Sequence, residues 1–130
     1  MADNTLDLSV SDMRVFVPAL DFQLSLRFYQ ALGWELKWKG DDDGLAILEL
    51  ADHRFFLQNF YRPELADNFM FQVLVSDAQA WYEHVSKILE EGDFGKARLR
   101  PPKLEDYGAI TLHVLDPSGV LIHFSQFVTD

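Results

Sequence analysis

The sequence predicts an α+β fold built from two βαβββ modules. Short segments alternate apolar and polar residues with the period of strands, two amphipathic stretches at helical spacing interrupt them, and the order strand, helix, strand, strand, strand occurs twice.

MRVFVPALD alternates as the opening strand. FQLSLRFYQALG follows with Leu24, Phe28, Ala31 and Leu32 at helical spacing and stops at Gly33, which predicts a helix over about Gln23 to Leu32. WELKWKG, the turn DDDG, LAILELA, the turn ADHR and FFLQNFY then read as three strands joined by hairpins. The second half repeats the order. FMFQVLVSD is a strand, AQAWYEHVSKILEEG a helix over about Ala78 to Glu90, and ARLRPPK, AITLHVLD and VLIHFSQF are strands. Arg14 matches Met70 and Asp21 matches Asp77, and both aspartates stand where strand gives way to helix, the place of a capping carboxylate. In the last turn, DPSG, Asp116 can bond its own backbone, Pro117 presets φ and Gly119 tolerates the left-handed region, so the final strand starts near Val120. The expected organisation is a single domain, 1–130, with module one at about 10–62 and module two at about 67–128.

Composition narrows the function. A chain of 130 residues that is 48% hydrophobic can bury a real core. No apolar run approaches a membrane span, and the start MADNTLDLSVSD is acidic and polar, unlike a signal peptide, so the expected location is the cytoplasm. Without cysteine there is no disulfide framework, no thiolate nucleophile and no cysteine-based metal site. Twenty-one acidic against eleven basic residues give a net charge of −10, which repels phosphate backbones and anionic membranes and favours cationic partners. Neither nucleic acid nor membrane is an expected partner. Eleven Phe, four Tyr and three Trp exceed the needs of a small core and leave aromatics for a pocket or an interface.

The strand, loop and helix RVFVPALDFQLSLRFYQALGW, the βαβββ duplication and the closing DPSGVLIHF resemble the vicinal oxygen chelate superfamily. That superfamily includes glyoxalase I, bleomycin and fosfomycin resistance proteins and extradiol dioxygenases. The resemblance covers nearly the whole chain, with the P-x-x-D strand end, the S-L-x-F-Y helix and the D-P-x-G hairpin in order. It implies an open-barrel domain of the glyoxalase/bleomycin-resistance type, whose two modules lay their sheets around an open cleft. Metal-using members place ligands on the first and fourth strands of each module, which maps here onto Arg14, Gln58, Met70 and His123. Arginine is a permanent cation, glutamine a weak ligand, and methionine prefers soft ions. Only His123 is a competent ligand, so no metal site and no cofactor are expected.

Strand alternation places Arg14, Phe16, Phe56, Gln58, Phe60, Met70, Gln72, His123 and Ser125 on the cleft side, with His113 beside them. These form the candidate ligand-binding set; catalytic residues are unassigned. Val15, Val17, Phe71, Val73, Val75, Ile122 and Phe124 face the helices. Arg14 reads equally as a partner for an anionic ligand group or for one of the chain's own carboxylates. His84 on a polar helix face and His53 in a turn are expected to be solvated, and Trp34, Trp38 and Trp81 to serve core or interface. The resemblance implies a metal-independent homodimeric binder that sequesters an aromatic or cationic small molecule in an aromatic cleft. The alternative is a metal-dependent glyoxalase-like lyase, isomerase or dioxygenase, with ligands added to His123 from Glu49, His53, His113 and Glu105.

Overall fold

Asp21 and Asp77 open the two long helices. The Asp21 carboxylate accepts the Leu24 N–H at 3.1 Å and the Asp77 carboxylate accepts the Ala80 N–H at 3.0 Å, each satisfying a donor the helix leaves orphaned. The structure, a computed structural model, describes residues 6–128. Its elements are β1 (Phe16–Pro18), α1 (Phe22–Leu32), β2 (Glu35–Lys39), β3 (Leu45–Leu50), β4 (His53–Gln58), α2 (Pro63–Ala66), β5 (Met70–Leu74), α3 (Ala78–Glu91), β6 (Arg98–Leu104), β7 (Ala109–Leu115) and β8 (Leu121–Phe127). They form two mixed four-stranded sheets, ordered β1-β4-β3-β2 and β5-β8-β7-β6. In each, the strand before the long helix pairs in parallel with the last strand of its module, while the hairpins pair antiparallel. The α+β duplication is therefore present as two copies of one topology.

The helix-side faces merge into one core. Val17, Ala46, Leu48, Phe55 and Leu57 of the first sheet and Leu112, Val114, Ile122 and Phe124 of the second pack with Phe28, Tyr29 and Leu32 of α1 and Val85 of α3. Burial of each such side chain contributes about 1.5–3 kcal/mol. Trp34 bridges the halves, its ring 5.4 Å from Tyr29 and 6.4 Å from Phe124. No helix among the described residues is long and apolar enough to cross a membrane.

Several expectations are corrected. The opening strand is only three residues long: β1 is an edge strand that pairs with just Phe56–Gln58 of its single partner, β4. Val15 accordingly escapes the core and is half exposed. His53 opens β4 instead of sitting in a turn, since the hairpin before it is just Ala51 and Asp52, both at positive φ. His84 is not merely solvated. Its Nε2 lies 2.9 Å from the Leu32 carbonyl and its ring packs edge-on against Trp81, tying α3 to the end of α1. Trp38 stands half exposed on the first sheet, so of the core and interface readings it loses only the first. The short α2, started by Pro63, had no counterpart in the strand and helix pattern.

Candidate functional site

The face of the first sheet turned away from the helices carries an apolar row. Register aligns Phe16 with Phe56, Phe56 with Ile47 and Ile47 with Trp38, and cross-strand partners share a face. The Phe16 and Phe56 rings stack at 4.6 Å and 15°, and Phe16 remains 49% exposed. Arg14 places its guanidinium 5.6 Å from the Phe56 ring centroid while pairing with Asp12 at 2.8 Å, so it neutralises an internal carboxylate. That hydrogen bond is the main reason the Asp12 carboxyl sits below its usual range. A charged row flanks the aromatic one, in which Glu49 is held below the ordinary carboxylate value by its bond to Arg54 and, to a lesser degree, by Lys37. Gln58 lies between Pro18 and Leu45. Phe60 is not on a strand; it follows β4, which ends at Gln58 where its partner β1 also ends.

The equivalent face of the second sheet is polar. His113 pairs in register with His123, and His123 with Gln72. The two imidazoles meet edge to face, centroids 4.8 Å apart. Below them runs a hydroxyl ladder. Gln72 donates its amide N–H to Ser125 Oγ at 3.1 Å, Ser125 Oγ lies 3.0 Å from Thr111 Oγ1, and Thr111 Oγ1 lies 2.9 Å from the Tyr107 hydroxyl. Ser125 and Thr111 are fully buried, so Ser125 orients Gln72 instead of presenting itself to solvent. His123 Nε2 is the buried side-chain nitrogen or oxygen that lacks a hydrogen-bond partner among the described residues. Burial holds the His123 pKa below the ordinary imidazole value, His113 adds to that, and Glu105 opposes it. The ring is thus kept neutral at pH 7 with a nitrogen lacking its bond.

The structure brings together Gln72, His113, His123 and Ser125 on one sheet, with Met70 on the same strand face as Gln72, and Arg14, Phe16 and Phe56 on the other. No hydrogen bond, ion pair or aromatic contact among the described residues joins these two groups within one chain. Thr111 and Tyr107 were missed by sequence reasoning, although Thr111 shares the alternation of His113. Also missed was a cavity of about 770 Å³ at the seam of the modules, lined by Trp34, Phe55, Phe71, Val73, Gln72 and Trp81 among others. Its size falls in the range of small-molecule sites.

The four positions that the superfamily uses for metal do not suit a divalent ion. Arg14 is committed to Asp12, Gln58 and Met70 are poor ligands, and no group of three His, Asp or Glu side chains among the described residues is arranged to hold a metal. Of the other candidates, Glu49 is engaged by Arg54 and Lys37, and His53 stands exposed on the first sheet.

A bleomycin resistance protein from Klebsiella pneumoniae is 27% identical to the chain over 114 residues, covering 85% of this chain and 87% of that protein. The bleomycin-binding protein of bleomycin-producing Streptomyces verticillus, in its crystal structure with copper(II)-bleomycin, matches with a TM-score of 0.76 over 94% of this chain and 100% of that one, at 22% identity. The chain is thus similar in sequence and in fold to bleomycin resistance proteins. A lactoylglutathione lyase from Agrobacterium tumefaciens matches at TM-score 0.67 over 91% of this chain and 95% of that one, with 13% identity. No family model matches the chain. A binder and a lyase thus share its fold, and the fold alone does not choose between them.

Proposed function

We propose that this chain is a metal-independent, cytoplasmic small-molecule-binding protein that sequesters an aromatic antibiotic of the kind its relatives are named for, and that it acts as a homodimer. The observation that carries this reading is the half-exposed stack of Phe16 on Phe56, an aromatic platform on the sheet face turned away from the described helices. The half-exposed Trp38 and Phe60 enlarge the apolar area, which favours pairing of two chains over a monomer. The scattered donors speak against the metal-dependent enzyme.

Calorimetric titration with bleomycin tests the proposal. Stoichiometric binding is expected, unchanged by EDTA and weakened by Phe56→Ala; binding that EDTA abolishes and nickel, zinc or iron restores overturns it in favour of the enzyme. Sedimentation is expected to report about twice the 15.0 kDa chain mass, and a monomer at micromolar concentration removes the dimer.

A further inference from the structure

The second sheet carries, on its open face, charge of the sign opposite to that of the chain. Register sets Arg98 beside Leu115, Arg100 beside His113 and Lys103 beside Thr111, so the three cations of β6 share the face of the imidazole pair. One row across the sheet therefore runs through Arg100, His113, His123 and Gln72, and the next through Lys103, Thr111, Ser125 and Leu74.

These cations differ from those on the first sheet and the segment leading into it. Arg14, Lys37, Lys39 and Arg54 each pair with a carboxylate. None of Arg98, Arg100 and Lys103 is in an ion pair among the described residues, although the chain has 21 acidic side chains against 11 basic ones. In so acidic a protein, an uncompensated basic stripe is a local field that attracts anions against the overall charge. The row also contains the unsatisfied Nε2 of His123.

We propose that the row of Arg100, His113 and His123 is an oxyanion subsite, which takes a carboxylate, sulfonate or phosphate group on the bound molecule. This rests on the small-molecule reading and adds one group to what the site accepts: an acidic substituent beside an aromatic part, which net charge alone does not anticipate. The guanidinium of Arg100 has the planar fork that matches two oxyanion oxygens. By taking up a proton His123 becomes a cation with both ring nitrogens as donors, a state that a bound anion favours. The charged groups facing the pair are Arg98, Arg100 and Lys103 on β6, with Glu105, just past the end of β6, as the carboxylate whose charge reaches His123. The neighbouring face positions on β5 and β8, namely Met70, Gln72, Leu74, Leu121, Ser125 and Phe127, carry no charge. Affinity for an anion therefore rises as pH falls toward the imidazole range.

Two probes of equal shape and opposite charge decide the matter: 2-naphthalenesulfonate and 2-naphthyltrimethylammonium, each titrated calorimetrically into the intact protein at about pH 6 and about pH 8. The sulfonate is expected to bind more tightly than the ammonium and to gain affinity at the lower pH. Arg100→Gln is expected to weaken the sulfonate about tenfold, as loss of a charge-assisted hydrogen bond does, and to leave the ammonium unaffected. His123→Gln, with its thermal unfolding checked against the parent, is expected to flatten the pH dependence. Tighter binding of the ammonium, or a sulfonate affinity indifferent to Arg100→Gln, overturns the oxyanion subsite while the small-molecule reading stands. Failure of both probes to bind overturns the subsite, while the small-molecule reading is judged separately by the bleomycin titration.

Discussion

The two modules share one topology but use their last hairpins in opposite ways. In the first, the turn between β3 and β4 is two exposed residues, Ala51 and Asp52, forced to φ of 49° and 67°. In the second, the turn between β7 and β8 is a buried clamp. Asp116 accepts the backbone N–H groups of Ser118 and Val120 and the Tyr29 hydroxyl, the last at 2.8 Å, and the Ser118 hydroxyl accepts the Leu20 N–H at 2.8 Å. The second module's turn thus holds the start and middle of the first module's helix. The open faces diverge as well, aromatic with paired charges on one sheet, imidazole and hydroxyl with unpaired cations on the other. Duplication supplied one backbone twice, and side chains divided the work between a structural hairpin in one copy and a loose one in the other.

The clamp yields the largest expected effect. Asp116→Ala leaves a buried phenol and two buried backbone donors without an acceptor, and urea unfolding is expected to show a loss of about 3–5 kcal/mol. A loss under about 0.5 kcal/mol, the scale of an exposed substitution, would erase the contrast between the two turns.

The pH dependence of the same residue sharpens the contrast further. Burial pushes the Asp116 pKa from 3.8 up to about 6, against the hydrogen bonds from Tyr29 and the backbone N–H groups that pull it down. Its folded value lies above its unfolded value, so the stability it contributes is full below 3.8 and is lost as pH rises through about 6. The span is at most about 3 kcal/mol. Glu49 in the first module has the reverse sign. Its depressed pKa means that its contribution is present above the ordinary carboxylate value and lost as pH falls through the lowered one. Asp116→Asn keeps an acceptor and removes the charge, so its stability relative to the parent is expected to improve from about pH 4.5 to about 6.5 and to level off above that. A constant difference across that window would mean that burial does not raise this carboxyl.

On the open faces the expected effects are smaller. Phe56→Ala removes the stacked platform, and calorimetry is expected to show bleomycin affinity reduced by about 1–3 kcal/mol. His123→Ala removes one hydrogen-bonding group and is expected to cost on the order of 1 kcal/mol. Neither side chain belongs to the buried core, so thermal unfolding should hold near the parent value. Equal losses for the two would deny the division between an aromatic and a polar face.

Much of this was legible in the chain. Period-two alternation located the strands, the two aspartates and Gly33 located the helix ends, and DPSG announced its own Asx bonds, since each of these is a local signal. What stayed hidden depends on partners distant in sequence. The short β1 is seen only in its pairing with Phe56–Gln58, some forty residues away. The deep burial of Asp116 under Tyr29, the bond from His84 to Leu32 and the seat of Arg14 over the Phe56 ring are all settled by tertiary packing. The ladder of Gln72, Ser125, Thr111 and Tyr107 was half visible, because alternation fixed its face but not its register.

The smallest expected effect comes from the exposed hairpin. Leu50 pairs with His53 across Ala51 and Asp52, which makes this a two-residue loop with both central residues at positive φ, the geometry that favours Asn followed by Gly. Alanine at φ of 49° bears the steric cost of the left-handed region with no side-chain bond to offset it. Replacing the pair with Asn-Gly relieves that cost without touching the core, and the urea midpoint is expected to rise by an amount equivalent to about 0.5–1 kcal/mol. The same Asn-Gly pair placed at Ser118 and Gly119 should destabilise instead, because it removes the hydroxyl that satisfies Leu20 and contacts Ser25 at 3.2 Å. Opposite signs from one dipeptide at two equivalent turns would show that the duplicated hairpins carry different loads, whereas equal signs would make them interchangeable.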